Sequence, residues 1–211
     1  MKKHLVLYIV LLFSVSGLWA QTDSVNVIQE STNKEITLDA SWSTALPMGQ
    51  MTDEVKTTSG RGVQFGISQN VNNRLSFGGN FAWQMFYEKN YEIYIDENSV
   101  FSGWQRNYIN AFSIMANTKY YFSNSVNNIK AYLSLEIGAS IIENYQVVGL
   151  YEFKELEWHF AITPVLGLEI PATNYLGFQV YIKYPNSFKS KSSFHYSWIN
   201  TGIGMYVKIP E

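Results

Sequence analysis

The chain has 211 residues, with 17 acidic and 15 basic side chains and no cysteine. This length is enough for one domain with a sizeable core, and that domain must be stable without disulfides. The slightly acidic balance gives no basis for nucleic-acid binding, and after the first residues no apolar stretch approaches the roughly 20 residues that a membrane-spanning helix needs.

The first twenty residues have the pattern of a secretory leader. Lys2 and Lys3 precede an apolar run over residues 5–13, and small residues lead to Ala20. A basic segment, an apolar core and a small residue at the cut predict a signal peptide, residues 1–20. The polar residues 21–34 show no period and are predicted to form a flexible periplasmic arm. The folded domain is then expected over residues 35–211.

The clearest strand pattern lies in residues 62–87. Before an asparagine-rich turn at residues 70–73, apolar side chains at Val63, Phe65 and Ile67 alternate with polar or small ones, and the alternation resumes after the turn. Side chains of a strand point alternately to opposite faces, and asparagine tolerates the positive φ that hairpin turns need. The segment is therefore predicted to be a β-hairpin.

The same period of two recurs along the rest of the chain. It predicts one strand before the hairpin and five after it, near residues 36–46, 108–122, 131–141, 158–170, 176–184 and 199–209. Together with the hairpin, these segments make eight strands.

The connections between these strands alternate in length. Long ones are predicted at residues 48–61, 88–106, 146–157 and 185–193, and short turns separate them. An antiparallel sheet closed on itself with this alternation has all its tight turns at one end. The sequence therefore predicts an all-β fold, an eight-stranded antiparallel up-and-down transmembrane β-barrel.

The two faces of the strands indicate which side meets lipid. Glycines such as Gly66, Gly138 and Gly204 recur on the polar face, interleaved with tyrosines, and this mixture fits the narrow interior of an eight-stranded barrel. Large apolar residues on eight strands would overfill that interior. The apolar face is therefore predicted to point outward, with aromatic residues near both ends of the strands in two interface belts.

Charged residues also lie on the polar face and are expected to form a network in the lumen. They are Asp39, Lys119, Lys130, Glu136, Glu169, Lys183 and Lys208. Glu136 lies near the middle of its strand, and an unpaired buried charge costs several kcal/mol. We therefore expect Lys183, Lys119 or Lys130 to reach it and the network to plug the lumen; a gated polar pathway is the alternative.

Three features together resemble a known family: the leader, the opening hairpin, and the strand ends Leu46-Pro47-Met48-Gly49 and Gly202-Ile203-Gly204-Met205-Tyr206. They resemble the small eight-stranded outer-membrane β-barrels of Gram-negative bacteria, which include OmpX and the OmpA transmembrane domain. The resemblance implies an outer-membrane location. It transfers no catalytic motif, because the family comprises anchors, adhesion proteins, small pores and a few lipid-modifying enzymes.

The function expected from these observations is structural or loop-mediated surface binding, without enzymatic activity. The predicted loops at residues 88–106 and 146–157 combine acidic and aromatic side chains, which suit a surface protein or glycan partner. Lys189 and Lys191 are candidates for contact with lipid phosphates, and lipopolysaccharide is therefore an expected partner. A monomer is expected, and nucleic acid is not an expected partner.

Alternative functions remain open at this stage: a narrow pore, a lipid-modifying hydrolase, and a soluble periplasmic ligand-binding barrel. The hydrolase would use His195 and Ser197, whose His-x-Ser spacing is similar to that of outer-membrane lipid A deacylases. A hydrolase of this kind needs a base within hydrogen-bond reach of its nucleophile. With two histidines outside the leader and no thiol, neither a metal nor another cofactor is expected.

Overall fold

The structure, a computed structural model, describes residues 35–96, 99–122, 129–149, 151–188 and 195–210. The predicted signal peptide and periplasmic arm lie outside these ranges. In the described part of the chain, no helix is long and apolar enough to cross a membrane.

Within these ranges the chain forms one antiparallel sheet. Its strands are β1 (Glu35–Met48), β2 (Ser59–Asn70), β3 (Leu75–Asp96), β4 (Ser99–Tyr121), β5 (Lys130–Val148), β6 (Tyr151–Pro171), β7 (Leu176–Lys183), β8 (Asn186–Ser187) and β9 (Tyr196–Pro210). Consecutive strands pair from β1 to β7, β7 pairs with β9, and β9 pairs with β1. The ring therefore has eight members, which confirms the predicted antiparallel up-and-down barrel.

The two-residue strand β8 is a continuation of β7 after an interruption. Like β7, it lies between β6 and β9. Pro185 stands between the two segments, and proline has no N–H to donate to a ladder. Its carbonyl still accepts a hydrogen bond from the Trp198 N–H at 3.4 Å.

Burial alternates along the strands as the sequence predicts, with polar residues inside. On the opening hairpin, Gln64, Ser68 and Asn80 are buried, whereas Phe65 and Ile67 are 56% and 54% exposed. The same alternation runs the length of β1. The prediction that the apolar face points outward is therefore confirmed.

Tyrosines fill the lower half of the interior because glycines face them across the sheet; this half lies near the turns that follow β2, β4 and β6, which were predicted to be short and mark what we call the short-turn end. Tyr132 lies opposite Gly167, and a Cβ on that glycine would overlap the tyrosine ring. Tyr181 stands in the same way over Gly202. Each tyrosine ring therefore occupies the space left by the missing side chain of the glycine opposite, which is how a narrow barrel is packed.

Two of the predicted long loops are instead paired strands, and the loop assignment of residues 88–106 and 146–157 is wrong. Strand β3 runs to Asp96 before β4 begins at Ser99, and β5 runs to Val148 before β6 begins at Tyr151. The polar composition of these stretches therefore does not reflect a loss of pairing. These extensions form what we call the projecting sheet, residues 88–96, 99–106, 143–148 and 151–157.

The first long connection is also different from its prediction as a polar loop. It begins with a short 3-10 helix, Gly49–Asp53, and both Met51 and Val55 are completely buried. They pack in what we call the mouth cluster, which lies inside the upper end of the barrel and comprises Ala45, Met51, Val55, Phe86, Ile109, Ala111, Ile142, Tyr196 and Trp198. Two apolar residues in a polar stretch thus close the end of the barrel that bears the projecting sheet.

Candidate functional site

An ionic cluster occupies the lower half of the barrel, among the tyrosines. The Lys119 ammonium lies 3.5 Å from Glu169 and 4.0 Å from Asp39, and all three side chains are buried. The Tyr121 hydroxyl donates to Glu169 at 2.9 Å, and the Gln179 amide donates to Asp39 at 3.0 Å. Each carboxylate therefore has one cation and one neutral donor.

Glu136 is the centre of a second group near mid-barrel. The Asn80 amide donates to its Oε1 at 2.7 Å, and the Lys183 Nζ lies 3.9 Å from its Oε2. Lys183 also donates to the Gln64 side-chain oxygen. Of the three lysines that the sequence proposed for Glu136, Lys183 is thus the one that forms an ion pair with it, while Lys119 pairs with other carboxylates.

The two remaining lysines of the predicted network lie toward the short-turn end and are less enclosed. Lys208 forms an ion pair with Glu35 at 3.1 Å. Lys130 is half-buried, with its ammonium 5.7 Å from the centroid of the Tyr121 ring. The seven predicted positions all lie on the inward side of the barrel, in three groups.

Several of the residues that complete these groups are neutral, and the sequence analysis missed their roles. Asn80, Tyr121 and Gln179 each donate to a buried carboxylate. Like the charged residues, they occupy the alternate positions of their strands that point into the barrel. That alternation is the sequence signal that could have identified them. Removing one member of a buried ion pair costs about 3 to 5 kcal/mol, so we expect the barrel to be sensitive to the loss of any one of these charges.

Little free space remains between the ionic groups and the mouth cluster. A cavity of about 20 Å³ lies beside Glu136, Lys183 and Asn200. One water molecule needs about 10 to 15 Å³, so this cavity has room for about one.

The candidate hydrolytic pair is not assembled. The Ser197 hydroxyl donates to the Met48 carbonyl at 3.3 Å and is buried. The His195 ring stacks on Phe188, with centroids 5.8 Å apart, and its backbone N–H donates to Gln50 at 3.2 Å. The serine hydroxyl therefore has a carbonyl as its partner, and no hydrogen bond joins it to the histidine.

A row of tyrosines lies on the outward face of the barrel, at the base of the projecting sheet. Tyr87 and Tyr108 lie opposite each other with ring centroids 4.8 Å apart, and Tyr145 lies 5.8 Å beyond Tyr108. This row follows directly on the apolar band of the barrel wall. Such a position is typical of aromatic residues at a membrane–water interface.

One charged group beside this row is tied to neighbours on both sides. Glu143 accepts from the Lys154 ammonium at 2.6 Å and from the Asn110 amide at 2.9 Å. The hydrogen bond from Lys154 is the main reason that the pKa of Glu143 lies below its ordinary value. The carboxylate therefore stays charged at neutral pH.

The tip of the projecting sheet exposes large side chains to solvent. Tyr151, Phe153 and Leu156 are all more than half exposed, and Glu152 and Glu155 lie among them. Exposed aromatic residues flanked by polar ones are typical of surfaces that bind a partner. Lys189 and Lys191, the predicted contacts for lipid phosphate, lie outside the described residues. Among the residues that are described, no group of three or more His, Cys, Asp or Glu side chains is arranged to hold a metal ion.

Comparison with known proteins finds likeness in structure only. No protein-family model and no curated protein matches the sequence. Among solved structures, the chain is similar to the attachment invasion locus protein Ail of Yersinia pestis in complex with the heparin analogue sucrose octasulfate, with 10% identity, a TM-score of 0.49, and coverage of 84% of this chain and 99% of that one.

Two further solved structures are similar to the chain. Neisserial surface protein A has 14% identity and a TM-score of 0.47, over 85% of this chain and 97% of that one. The outer membrane protein OprG from Pseudomonas aeruginosa has 11% identity and a TM-score of 0.49, over 85% and 98%. The likeness concerns the arrangement of strands, which the closed ring establishes on its own.

Proposed function

We propose that the chain is an integral outer-membrane barrel with a structural or binding role at the cell surface, exercised by its projecting sheet, and that it is not an enzyme. The observation that carries this proposal is the inversion of its two faces. Lysines, carboxylates and amides are buried inside the ring, while leucine, isoleucine and phenylalanine side chains cover its outside.

This inversion favours a membrane over water as the surroundings of the barrel. Soluble monomers rarely expose a contiguous apolar patch larger than a few hundred Å², whereas here apolar side chains follow every long strand on the outside. A transmembrane strand needs about 9 to 11 residues. Strands β1 and β9 have 14 and 15 residues, so they suffice. A soluble periplasmic ligand-binding barrel would need the opposite arrangement.

The outer membrane is the proposed location because the predicted leader directs export and closed β-barrels are the spanning fold of that membrane. Both ends of the barrel domain then lie at the short-turn end, on the periplasmic side. The projecting sheet rises on the other side, at the cell surface. Its exposed Tyr151 and Phe153 are suited to contact a protein or a glycan.

A narrow pore is the second candidate, and the packed interior argues against it. Lys119 and Lys183 are both held by carboxylates across the lumen, and Met51 closes the upper end. Conductance in a planar bilayer separates the two candidates. The proposed barrel inserts without passing a steady current, whereas a steady open channel would overturn the plugged interior.

Contact with lipid phosphates by Lys189 and Lys191 remains part of the proposal. Reversing both charges should weaken binding of lipopolysaccharide to the detergent-solubilised protein, because a carboxylate repels phosphate where an ammonium attracts it. Unchanged binding by the double variant would remove these lysines from the proposal.

Refolding the full chain into lipid vesicles tests the proposed location. A membrane barrel should remain in the vesicles after washing at alkaline pH, and its unheated form should run at a different mobility from its heated form on a gel. Protease added outside the vesicles should cut the projecting sheet and leave the barrel strands intact. A chain that folds as a monomer in buffer without detergent or lipid would contradict the proposal.

A further inference from the structure

Two cations face each other on the outward side of the projecting sheet. Lys89 of β3 and Arg106 of β4 are directly opposite in the strand register, and both side chains are exposed. Directly opposed Cβ atoms lie about 4.5 to 5.5 Å apart, and like charges in such a pair destabilise a sheet. An anion between the two side chains would remove that repulsion.

The two described carboxylates nearest to the pair on this face have other neighbours. Glu143 is paired with Lys154, and Glu152 lies beside the Tyr145 hydroxyl, whose pKa it raises. Among the described side chains, no carboxylate forms an ion pair with Lys89 or Arg106. The two cations are therefore available to an anion from outside the chain.

Trp104, two residues from Arg106 on β4, contacts the lysine side chain. The Lys89 ammonium lies 4.1 Å from the centroid of the Trp104 ring, which is a cation–π contact. This contact limits the positions of a flexible side chain while leaving its N–H groups free to donate. Arg106 has a planar fork that matches the oxygens of a phosphate, and a lysine beside it adds a point charge.

The height of the two cations matches a lipid headgroup. They lie two residues beyond Tyr87 and Tyr108, which stand at the start of the membrane–water interface. Two residues along a strand tilted as in a barrel wall rise about 5 Å along the membrane normal. The headgroup layer on each side of a bilayer is about 5 to 8 Å thick. The cations therefore lie where lipid phosphates lie.

We infer that Lys89 and Arg106 form a binding site for a phosphate group of an outer-leaflet lipid. The inference rests on the proposed membrane location, since only a barrel inserted to the level of Tyr108 brings the pair to the headgroups. It gives the outward face of the projecting sheet a role separate from that of its exposed tip.

Binding of lipid A to the full chain in detergent, followed by native mass spectrometry, tests the site. The probes are phosphorylated lipid A, the same lipid with its phosphates removed, and inorganic phosphate. The variants are Arg106→Gln and the double substitution Lys89→Gln with Arg106→Gln. Lys56→Gln is the matched control. Lys56 is an exposed lysine of the first connection, and its substitution removes one charge at the same end of the barrel.

We expect the unaltered protein to bind phosphorylated lipid A at least tenfold more tightly than the dephosphorylated lipid. Arg106→Gln should lose part of that preference and the double variant most of it, while Lys56→Gln retains it; any remaining preference is assigned to Lys189 and Lys191. Binding of inorganic phosphate alone with comparable affinity would mean that the site does not use the lipid, and would overturn the inference. Equal binding of both lipids, or a double variant that binds like the unaltered protein, would also overturn it.

Insertion is measured on the same variants by the gel-mobility shift after refolding into vesicles. If the chain inserts but the double variant binds phosphorylated lipid A like the unaltered protein, the inference fails and the proposed function stands. If it does not insert at all, the proposed function itself fails.

Discussion

The two halves of the barrel interior are closed by different chemistry. In the lower half, Lys119 joins two carboxylates among tyrosine rings that stand over glycines. In the upper half, Met51 and Val55 descend from a connection and pack on Phe86 and Trp198 without any charge. The lower half is thus built from strand residues alone, whereas the upper half depends on a segment between strands.

This difference has a consequence for how each half responds to damage. Ion pairs across the lumen connect distant strands, since Asp39, Lys119 and Glu169 belong to β1, β4 and β6. Loss of a partner leaves a buried charge and affects the whole ring. The mouth cluster can instead loosen locally, because the first connection can move away while the strands stay paired.

The largest effect is expected from Lys119→Met. The substitution leaves Asp39 and Glu169 buried without their cation, which should lower the free energy of unfolding by about 3 to 5 kcal/mol. Urea titration of the protein in vesicles, followed by tryptophan fluorescence, measures this change. Lys154→Met is the matched control, because it removes a lysine from the exposed pair with Glu143 and should cost about 1 kcal/mol or less. If both substitutions lowered the free energy of unfolding equally, burial would not be the reason for the effect at Lys119.

A smaller and more local effect is expected from Met51→Ala. Truncation of a buried methionine costs about 2 to 5 kcal/mol, and we expect a value near the lower limit because the first connection can settle into the space. Hydrogen exchange should increase in residues 49–58 and remain unchanged at Lys119 and its strand neighbours. Faster exchange throughout the barrel would show that the two halves do not respond separately.

The substitutions Lys119→Met and Met51→Ala are expected to change the free energy of unfolding almost independently of each other. Sites without shared partners usually give additive changes, within about 0.5 kcal/mol. Unfolding of the double variant Lys119→Met with Met51→Ala should therefore equal the sum of the single changes. A coupling energy well above this value would mean that the ionic half and the mouth cluster form one unit.

The smallest effect is expected at the exposed ion pair of Glu143 and Lys154 on the projecting sheet. The pKa of the Glu143 carboxyl is lower in the folded protein than in the unfolded chain. Its ionised form therefore stabilises the fold at pH values above its pKa in the unfolded chain, and this stabilisation is lost as the pH falls through its pKa in the folded protein. Lys154→Gln should raise the pKa of Glu143 toward the ordinary value. Titration of the labelled carboxyl by NMR measures this shift, and an unchanged pKa would mean that Asn110 is the dominant partner.

The sequence predicts which face of each strand points inward because that depends only on a local period of two. Gln64 and Phe65 are adjacent and take opposite sides in every register that pairs β2 with its neighbours. The closed ring follows from the number of strands and their antiparallel order, whereas two of the four long connections used to predict it are paired strands. These features needed no knowledge of distant contacts.

The partners of the interior charges could not be predicted in the same way. Gln179 donates to Asp39 across 140 residues of sequence, and their meeting depends on the tilt and stagger of the whole ring. The mouth cluster was missed because Met51 and Val55 stand singly in a polar stretch. The paired strands at Tyr91 and Trp104 were mistaken for a loop because acidic residues are frequent in this stretch, although Tyr91, Ile93 and Ile95 repeat with a period of two.

The most direct test of the inverted barrel measures quenching of single tryptophans by brominated lipid acyl chains. Trp42 and Trp158 are 52% and 60% exposed on the outside of the ring, whereas Trp198 is 3% exposed inside it. Variants that retain one of these tryptophans, with phenylalanine at the other tryptophan positions, are refolded into vesicles of brominated phosphatidylcholine. The fluorescence of Trp42 and Trp158 should be strongly quenched and that of Trp198 should not. Quenching of Trp198 with Trp42 and Trp158 unaffected would show that the apolar face does not meet lipid.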